Sequence, residues 1–466
     1  MWLQASVTST EILPAELFVY IVQYLPHYMQ VRCSHVSRAW RHILLAEPSI
    51  WQTLSLTGKD RAVENKANAY VQRLADRRAL DTFAFQVHIP AQWERLRSAV
   101  PLKAFSTLRS LQCSFGPTVS PALSANVLLW SMQHRNIRSL SFDATEGAMP
   151  GLCLSLEAIC DFLPNLRHLH AIGIAKPGTA FPVSGPYKMS NDAEAVQRLE
   201  SLVISPALVE LPDYDIDEQP FSSLQQFTYR QLEGGFTAVT IGRSTSLRFL
   251  CSPLAHLRSL TLVKAQLSQF TAQLVGPALA SFLVLRKLVL KNCEYWVVKL
   301  FLEVDAPALE SLAIEHAKGC PPPYADMPTQ IFQSPRLQEL SLVGLPIADD
   351  RSVIDILSPS SALIMLDLSA SPITDRFLSL LPTLAPNLKI LALSANDSIK
   401  ASPLMKFVTA GWDQEKQAGR LTRLELVNCA SIEPAGLEWL KKNVKLVNHS
   451  YSDLSEVKRG RKRILA

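Results

Sequence analysis

The sequence lacks the cysteine spacings that hold small secreted domains together or bind zinc. Its 466 residues contain 8 cysteines, none of which belongs to a CxxC pair or a dense cluster. Disulfide frameworks and zinc sites need cysteines at short spacing, so this distribution favours a reducing compartment. We therefore expect free thiols.

Long apolar runs are absent as well. The longest apolar segment, around residues 275–285, ends at Arg286 and Lys287 and is shorter than the ~18–20 residues that a membrane-spanning helix needs. Residues 1–10 lack the basic stretch and following apolar stretch of a secretory signal. We expect a chain that stays in aqueous solution.

The body of the chain has no excess of charge of either sign. The 46 Lys and Arg exceed the 41 Asp and Glu by a formal net charge of +5. The carboxy-terminal run supplies as many cations, at Lys458, Arg459, Arg461, Lys462 and Arg463. A nucleic-acid-binding body is therefore not expected. The run itself fits a nuclear import signal, a site for an acidic surface or a frayed terminus, so the expected location is cytoplasmic and/or nuclear.

Catalytic and metal-binding signatures are also missing. There is no GxSxG, GxxxxGK[ST] or HExxH motif. His168 and His170 point the same way on one predicted strand, but no Cys, Asp or Glu follows them at ligand spacing. The acidic run at 213–218 lacks the glycine and terminal glutamate of a calcium loop, and is interpreted as a solvated loop or a docking site for a basic peptide. We expect no catalysis, metal or cofactor.

What the sequence does contain is an internal repeat. The pattern apolar-x-x-apolar-x-apolar begins at Trp51, Leu80, Leu108, Ile137, Leu166, Leu199, Leu224, Leu257, Leu285, Leu309, Leu337, Leu363, Leu388 and Leu421. A degenerate last copy begins at Val444. The average spacing of about 28 residues lies within the period of leucine-rich repeats.

Each copy predicts one strand followed by a helix. In residues 285–290 and 421–426 the last positions alternate between leucine and other residues, which indicates a half-buried strand with the leucines inward. Residues 373–381 and 431–440 have apolar residues every three or four positions, which indicates an outer helix.

The stacked copies predict an α/β fold, a leucine-rich-repeat solenoid of horseshoe shape with a parallel sheet on its concave face and helices outside. Asn292–Cys293 and Asn428–Cys429 follow their strands and resemble the turns of cysteine-containing leucine-rich repeats. The predicted solenoid covers residues 51–450 and precedes a basic tail, residues 451–466. Three stretches of uneven repeat length, 175–192, 205–220 and 320–328, are interpreted as loops at its rim.

Residues 10–50 do not follow the repeat and predict short packed helices. Pro14 and Glu16 suit the start of a first helix. Leu17, Ile21 and Leu25 then make one apolar stripe that Pro26 ends. A second apolar set follows at Val31, Val36, Trp40, Ile43 and Leu44, and Ser37 is placed to cap the helix that carries Trp40.

Forty residues with so many large apolar groups cannot enclose them all, because domains of this size bury too little surface. Some of these side chains must face a partner. Each one taken fully out of water contributes ~1.5–3 kcal/mol, so four or five of them can anchor a stable interface.

These residues resemble the F-box. The matching positions, in the order and spacing of that family, are Leu13, Pro14, Glu16, Leu17, Ile21, Tyr24, Leu25, Arg32, Cys33, Val36, Ser37, Arg38, Trp40, Arg41, Pro48 and Trp51. The chain departs from the family at Met29 and Gln30, where an acidic residue and a leucine are usual. An F-box followed by leucine-rich repeats is a combination that the family itself uses.

The resemblance implies a non-catalytic, substrate-recognition subunit of an SCF (Skp, cullin, F-box) ubiquitin ligase, with a Skp-family adaptor, a cullin-RING ligase and a protein substrate as partners. The implied adaptor-facing or supporting residues are Leu13, Pro14, Leu17, Ile21, Leu25, Val31, Val36 and Trp40. The outward strand positions predict the substrate-binding face, represented by His168, His170, Gln226, Thr228, Arg230, Lys287, Lys291, Glu339, Asp367, Arg423 and Glu425.

Three other interpretations stay open. The helices of residues 10–50 can serve only as a cap on the solenoid, whose ends need protection. The chain can be an interaction scaffold without a ligase role, whether or not it holds the adaptor. A repeat protein that regulates small GTPases would share the solenoid but would leave residues 12–51 unexplained.

Overall fold

The structure is a computed structural model. It describes residues 13–25, 27–56, 80–100, 102–117, 119–150, 154–176, 196–205, 209–210, 221–230, 256–265, 282–315, 334–344, 350–357, 362–371, 373–410 and 421–450. The acidic run at 213–218, the stretch 320–328, the basic tail and most of stretches 175–192 and 205–220 lie outside these residues. The chain divides into two compact units, residues 1–212 with 232–240 and residues 213–231 with 241–466.

The first unit begins with three helices: α1 (Ala15–Gln23), α2 (His27–Cys33) and α3 (Arg38–Ala46). Pro14 precedes α1 as its N-cap, and Glu16 lies in the first turn, where a carboxylate is favourable near the positive end of the helix dipole. The Ser37 hydroxyl accepts a hydrogen bond from the backbone N–H of Trp40 at 3.1 Å and so caps α3. The predicted all-α amino-terminal region is confirmed.

The helices lead directly into the first strand. A 3-10 helix, Pro48–Trp51, connects α3 to β1 (Thr53–Leu56). Trp51 is fully buried, and its indole N–H donates to the backbone carbonyl of Leu44 in α3 at 2.7 Å. The indole therefore ties the last turn of α3 to the beginning of the sheet.

The rest of the first unit stacks one strand per repeat. Its remaining elements, in chain order, are β2 (Thr82–Val87), α4 (Pro90–Ala99), β3 (Ser110–Phe115), α5 (Pro121–Met132), β4 (Ser139–Pro150), β5 (Leu154–Ser155), α6 (Leu156–Phe162), β6 (His168–Lys176), β7 (Ser201–Ile204) and β8 (Val209–Glu210). Strands β1, β2, β3, β4, β6 and β7 pair in parallel in that order. Strands β5 and β8 form a separate small parallel pair.

The second unit repeats the same arrangement. Its elements are β9 (Gln226–Arg230), β10 (Ser259–Val263), β11 (Lys287–Lys291), α7 (Tyr295–Leu302), β12 (Ser311–Glu315), β13 (Glu339–Val343), α8 (Asp350–Leu357), β14 (Met365–Asp367), α9 (Asp375–Leu384), β15 (Ile390–Ala392), α10 (Ala401–Ala410), β16 (Arg423–Glu425), α11 (Pro434–Asn443) and β17 (Leu446–Asn448). Each strand pairs in parallel with the next one along the chain.

The register places identical repeat positions side by side. Leu260 pairs with Leu288, Leu288 with Leu312, and Leu312 with Leu340, and all four side chains are buried. Each repeat strand begins two residues after a predicted start of the leucine pattern, including the degenerate copy at Val444. The predicted α/β solenoid organisation, with a parallel strand in each repeat and the leucines inward, is confirmed within each unit.

Tight turns follow the strands of the second unit. Asn292 and Asn428 have positive φ angles of 51° and 60°, a conformation that asparagine tolerates better than most residues. The next residue in each turn is a buried cysteine: the Cys293 thiol donates to the Leu262 carbonyl at 3.4 Å, and the Cys429 thiol donates to the Leu393 carbonyl at 3.2 Å. Each thiol links its turn to an earlier repeat.

Candidate functional site

An exposed apolar surface lies on the amino-terminal helices. The exposed fractions are 53% for Leu17, 58% for Tyr20, 52% for Ile21 and 72% for Tyr24. These residues are three or four positions apart, so they lie on one face of α1. Val36, which precedes α3, is 64% exposed. We call these five side chains the apolar face.

The opposite side of α1 forms the core of the helical region. Phe18 and Val22 are buried, and the Phe18 ring packs against the Trp40 ring with centroids 4.5 Å apart. Leu44 of α3 is completely buried. Trp40 is half-buried and therefore supports α1, whereas Leu17 and Ile21 are directed away from this core.

The apolar face includes a pair of tyrosines: Tyr24 matches an F-box position in the sequence, whereas Tyr20 was not predicted to be functional. The Tyr20 and Tyr24 rings are 5.0 Å apart, edge to face, and the Tyr24 hydroxyl donates to the Tyr20 hydroxyl at 2.9 Å. This hydrogen bond raises the pKa of Tyr24, so its phenol is neutral at pH 7. Their spacing from Leu17 and Ile21 is the sequence signal that places them on the same helix face.

The other predicted adaptor residues lie at the margins of the apolar face. Leu13, Leu25 and Val31 are half-buried and Pro14 is exposed. Gln30, one of the two departures from the F-box pattern, is buried, and its side-chain amide donates to the Gln23 carbonyl at 3.3 Å. The amide thus has a partner within the helical region, which lets a polar residue occupy this position.

The predicted histidine pair lies on the sheet of the first unit. His168 and His170 occupy alternate positions of β6, with His168 exposed and His170 half-buried. In register, His168 is flanked by Ser139 and Ser201. Within the described part of the chain, no group of three or more His, Cys, Asp and Glu residues is placed to hold a metal ion.

The predicted substrate-binding residues of the second unit occupy one face of its sheet. They are the half-buried or exposed strand positions that alternate with buried core residues: Gln226, Thr228, Arg230, Lys287, Lys291, Glu339, Asp367, Arg423 and Glu425. Lys291 is paired with Glu315 at 2.7 Å, and Arg423 is paired with Glu425 at 2.5 Å. The sequence reasoning did not single out Glu315, because its importance depends on the register between β11 and β12.

Buried cysteines offer no reactive nucleophile at neutral pH. Burial raises the pKa of Cys160 to about 12 and the pKa of Cys293 to about 11, and it also raises the pKa values of Cys113 and Cys429. The described cysteines are all free thiols. Since the thiolate is the reactive form, these four side chains act as core residues.

The raised pKa values predict slow alkylation in the folded protein. For Cys293, raising the pKa by about two units lowers the thiolate fraction about 100-fold below pH 9, and burial slows access further. Half-buried Cys33 is the internal control. We expect iodoacetamide at pH 8, followed by mass spectrometry of peptides, to label Cys33 well before Cys293; equal labelling of both in the folded chain would contradict the burial described above.

No helix in the described ranges is long and apolar enough to span a membrane. On α1 most of the exposed side chains are apolar, and on the sheet of the second unit they are mainly polar or charged.

Comparisons with known proteins agree with the amino-terminal motif. A family model described as F-box-like matches residues 10–57. A search of curated proteins gives no match. Solved structures similar to the chain include an internalin from Listeria monocytogenes, with 15% identity, a TM-score of 0.41, and coverage of 75% of this chain and 82% of that one.

Two further solved structures are similar at the same level. The Rad7 and Elc1 complex in yeast has 15% identity, a TM-score of 0.38, and coverage of 95% of this chain and 98% of that one. The TLR13–ssRNA13 complex has 14% identity, a TM-score of 0.37, and coverage of 86% and 52%. Such TM-scores carry no argument about function. The family match and the three amino-terminal helices lead to one identification: residues 10–57 are an F-box-like domain followed by stacked repeats of the leucine-rich type.

Proposed function

We propose that this protein is the substrate-recognition subunit of an SCF ubiquitin ligase. In this proposal residues 10–50 bind a Skp-family adaptor, residues 51–450 bind the protein substrate, and residues 451–466 are a basic tail. The chain performs no chemistry itself and needs no cofactor. It holds a substrate lysine near a ubiquitin thioester carried by other subunits, which raises the effective concentration of the reacting groups. Its location is the cytoplasm and/or the nucleus.

The single observation that supports this proposal best is the exposure of the apolar face on an F-box-like domain. Leu17, Tyr20, Ile21 and Tyr24 are each more than half exposed on one helix. Contiguous exposed apolar groups are costly in water and are typical of protein interfaces. Aromatic residues such as the two tyrosines are enriched at the centres of such interfaces.

Substrate capture is assigned to the exposed sheet positions of the repeats. His168 and His170 in the first unit and the charged strand residues of the second unit present side chains that the core does not use. A repeat stack exposes such positions as a continuous array, which suits recognition of an extended partner. We propose these positions as the substrate-binding surface.

Co-purification tests the ligase proposal. We expect the tagged full-length chain to recover a Skp-family adaptor together with a cullin, and to promote ubiquitin transfer to proteins that accumulate when the proteasome is inhibited. A proximity-labelling enzyme fused to the chain should label the same proteins. Their ubiquitination should fall when Ile21 is changed to Asp.

The outcome distinguishes the two classes of function. Recovery of the adaptor without a cullin would replace the ligase proposal with an interaction scaffold. Recovery of neither, with a folded chain, would leave the helices of residues 10–50 as a cap on the repeats. A His42→Asp variant is the matched control, because His42 is exposed on α3 and does not belong to the apolar face.

A further inference from the structure

Charged residues on the sheet of the second unit are separated by sign. The residues at and just before strands β9, β10 and β11 include five cations and no Asp or Glu: Arg230, Arg258, Arg286, Lys287 and Lys291. The corresponding residues of β12 and β13 include three carboxylates and no Lys or Arg: Glu310, Glu315 and Glu339. We call these sets the basic half and the acidic half.

The change of sign occurs between β11 and β12 in two rows of the sheet. In the row just before the strands, Arg258, Arg286 and Glu310 are neighbours. The backbone N–H of Arg286 donates to the Arg258 carbonyl, and the backbone N–H of Glu310 donates to the Arg286 carbonyl. In the row of last strand residues, Lys291 is in register with Glu315. The boundary between β11 and β12 is therefore lined by two ion pairs, Arg286–Glu310 at 3.5 Å and Lys291–Glu315 at 2.7 Å.

Within the described residues, the other three cations of the basic half have no acidic partner. Arg230, Arg258 and Lys287 are exposed and form no ion pair with a described residue. Lys287 is flanked in register by Ser259 and Ser311, which are too short to cover its ammonium group. An approaching carboxylate would therefore meet uncompensated positive charge and neighbouring hydroxyl donors.

The middle positions of the strands have uncharged side chains that are shorter than those of the charged rows on either side, and we call these positions the floor. They are Thr228, Thr261, Val289, Ala313 and Ser341, which lie side by side in the sheet. The row just before the strands and the row of last strand residues are five residues apart, or about 17 Å at the rise of a β-strand. Small floor residues between charged walls at this separation leave room for an extended chain that crosses the strands.

We propose that this surface binds an extended segment of a protein that carries several carboxylates next to a basic residue. This inference rests on the proposed substrate-receptor function and names the chemistry of the segment. From β9 to β13 the strands span about 19 Å, which an extended chain covers with about six residues. Its carboxylates lie over Arg230, Arg258 and Lys287, and its basic residue lies over Glu339.

The acidic half decides between a protein segment and a nucleic acid. A nucleic acid carries negative charge along its whole length, so its phosphates would face Glu310, Glu315 and Glu339 as well as the cations. A segment with both signs matches the two halves at once. Complementary charge over both halves also fixes the direction of the segment, since reversal would oppose like charges.

Fluorescence anisotropy with the full-length chain, alone and with adaptor, tests the proposal. The probe is a labelled synthetic peptide with three glutamates at alternate positions and two lysines that begin about five residues after the first glutamate. One comparison peptide has Gln in place of each Glu, and another has the order of the charges reversed. We expect binding that weakens with added salt. We also expect at least about a tenfold loss of affinity, or 1.4 kcal/mol, in the double variant Arg258→Glu, Lys287→Glu.

The controls separate this inference from the proposed function. Lys389→Glu reverses one charge just before β15, outside both halves, and should leave peptide binding intact. Leu17→Asp should abolish adaptor recovery without changing peptide binding. The inference would be overturned if the peptide does not bind, if the Gln peptide binds equally well, or if the folded double variant binds with unchanged affinity. It would also be overturned if a single-stranded oligonucleotide binds more tightly than the peptide.

Discussion

Leu17→Asp is expected to abolish binding of the Skp-family adaptor while the chain remains folded. A fully buried leucine contributes ~1.5–3 kcal/mol to an interface, and an unpaired carboxylate in its place adds a desolvation penalty. We therefore expect at least about a 100-fold loss of affinity, or ~2.7 kcal/mol. The measurement is calorimetric titration of purified adaptor into the full-length variant.

Leu17 is a favourable position for this test because the substitution suits the free protein. Leu17 is 53% exposed, so its loss leaves no cavity. It lies in the first turn of α1, where a carboxylate interacts well with the helix dipole. The His42→Asp control should keep the affinity of the unchanged protein. Adaptor binding by Leu17→Asp that equals the control would remove the apolar face from the proposed interface.

Trp51→Ala is expected to cost the first unit ~3–5 kcal/mol of unfolding free energy, the range for removal of a large buried aromatic side chain. Trp51 is fully buried, and its indole N–H donates to the Leu44 carbonyl at 2.7 Å. The change therefore opens a cavity and also breaks the tie between α3 and the first strand. Urea denaturation followed by circular dichroism measures the loss.

Two related variants separate the cavity from the hydrogen bond. Trp51→Phe removes the donor but keeps most of the volume, and the Leu44 carbonyl still accepts from the Glu47 N–H at 3.3 Å, so we expect a loss of only about 1 kcal/mol. Trp439→Ala makes the same truncation at a half-buried position of α11 and should cost less than Trp51→Ala. If Trp51→Ala costs no more than Trp439→Ala, the tie between α3 and β1 contributes little.

The repeat strands could be predicted well because their signal is local. Alternation of leucine with other residues defines both a strand and its inward face, and each copy contains the signal in six residues. In the structure, the copies stack in parallel and align Leu288 with Leu312 and Leu340. The same argument explains why Ser37, a short-range cap, was identified from sequence alone.

The exposed side of α1 was harder to predict because apolar residues surround the helix. Phe18 and Val22 alternate with Leu17, Tyr20 and Ile21, so sequence spacing gives two apolar faces and does not say which one packs. Packing of Phe18 against Trp40 settles the question in the structure. For this reason Tyr20 was not predicted, and Tyr24 was matched to the F-box without being assigned to the interface.

By itself, the sequence determined where the strands, helices and F-box-like domain lie, because these depend on spacing within a few turns or one repeat. Only the tertiary structure decided which side of α1 meets water and how charges on different strands combine. Lys291 and Glu315 come from separate repeats, and they meet only because parallel pairing aligns β11 with β12. Contacts between repeats depend on register, which no single stretch of sequence contains.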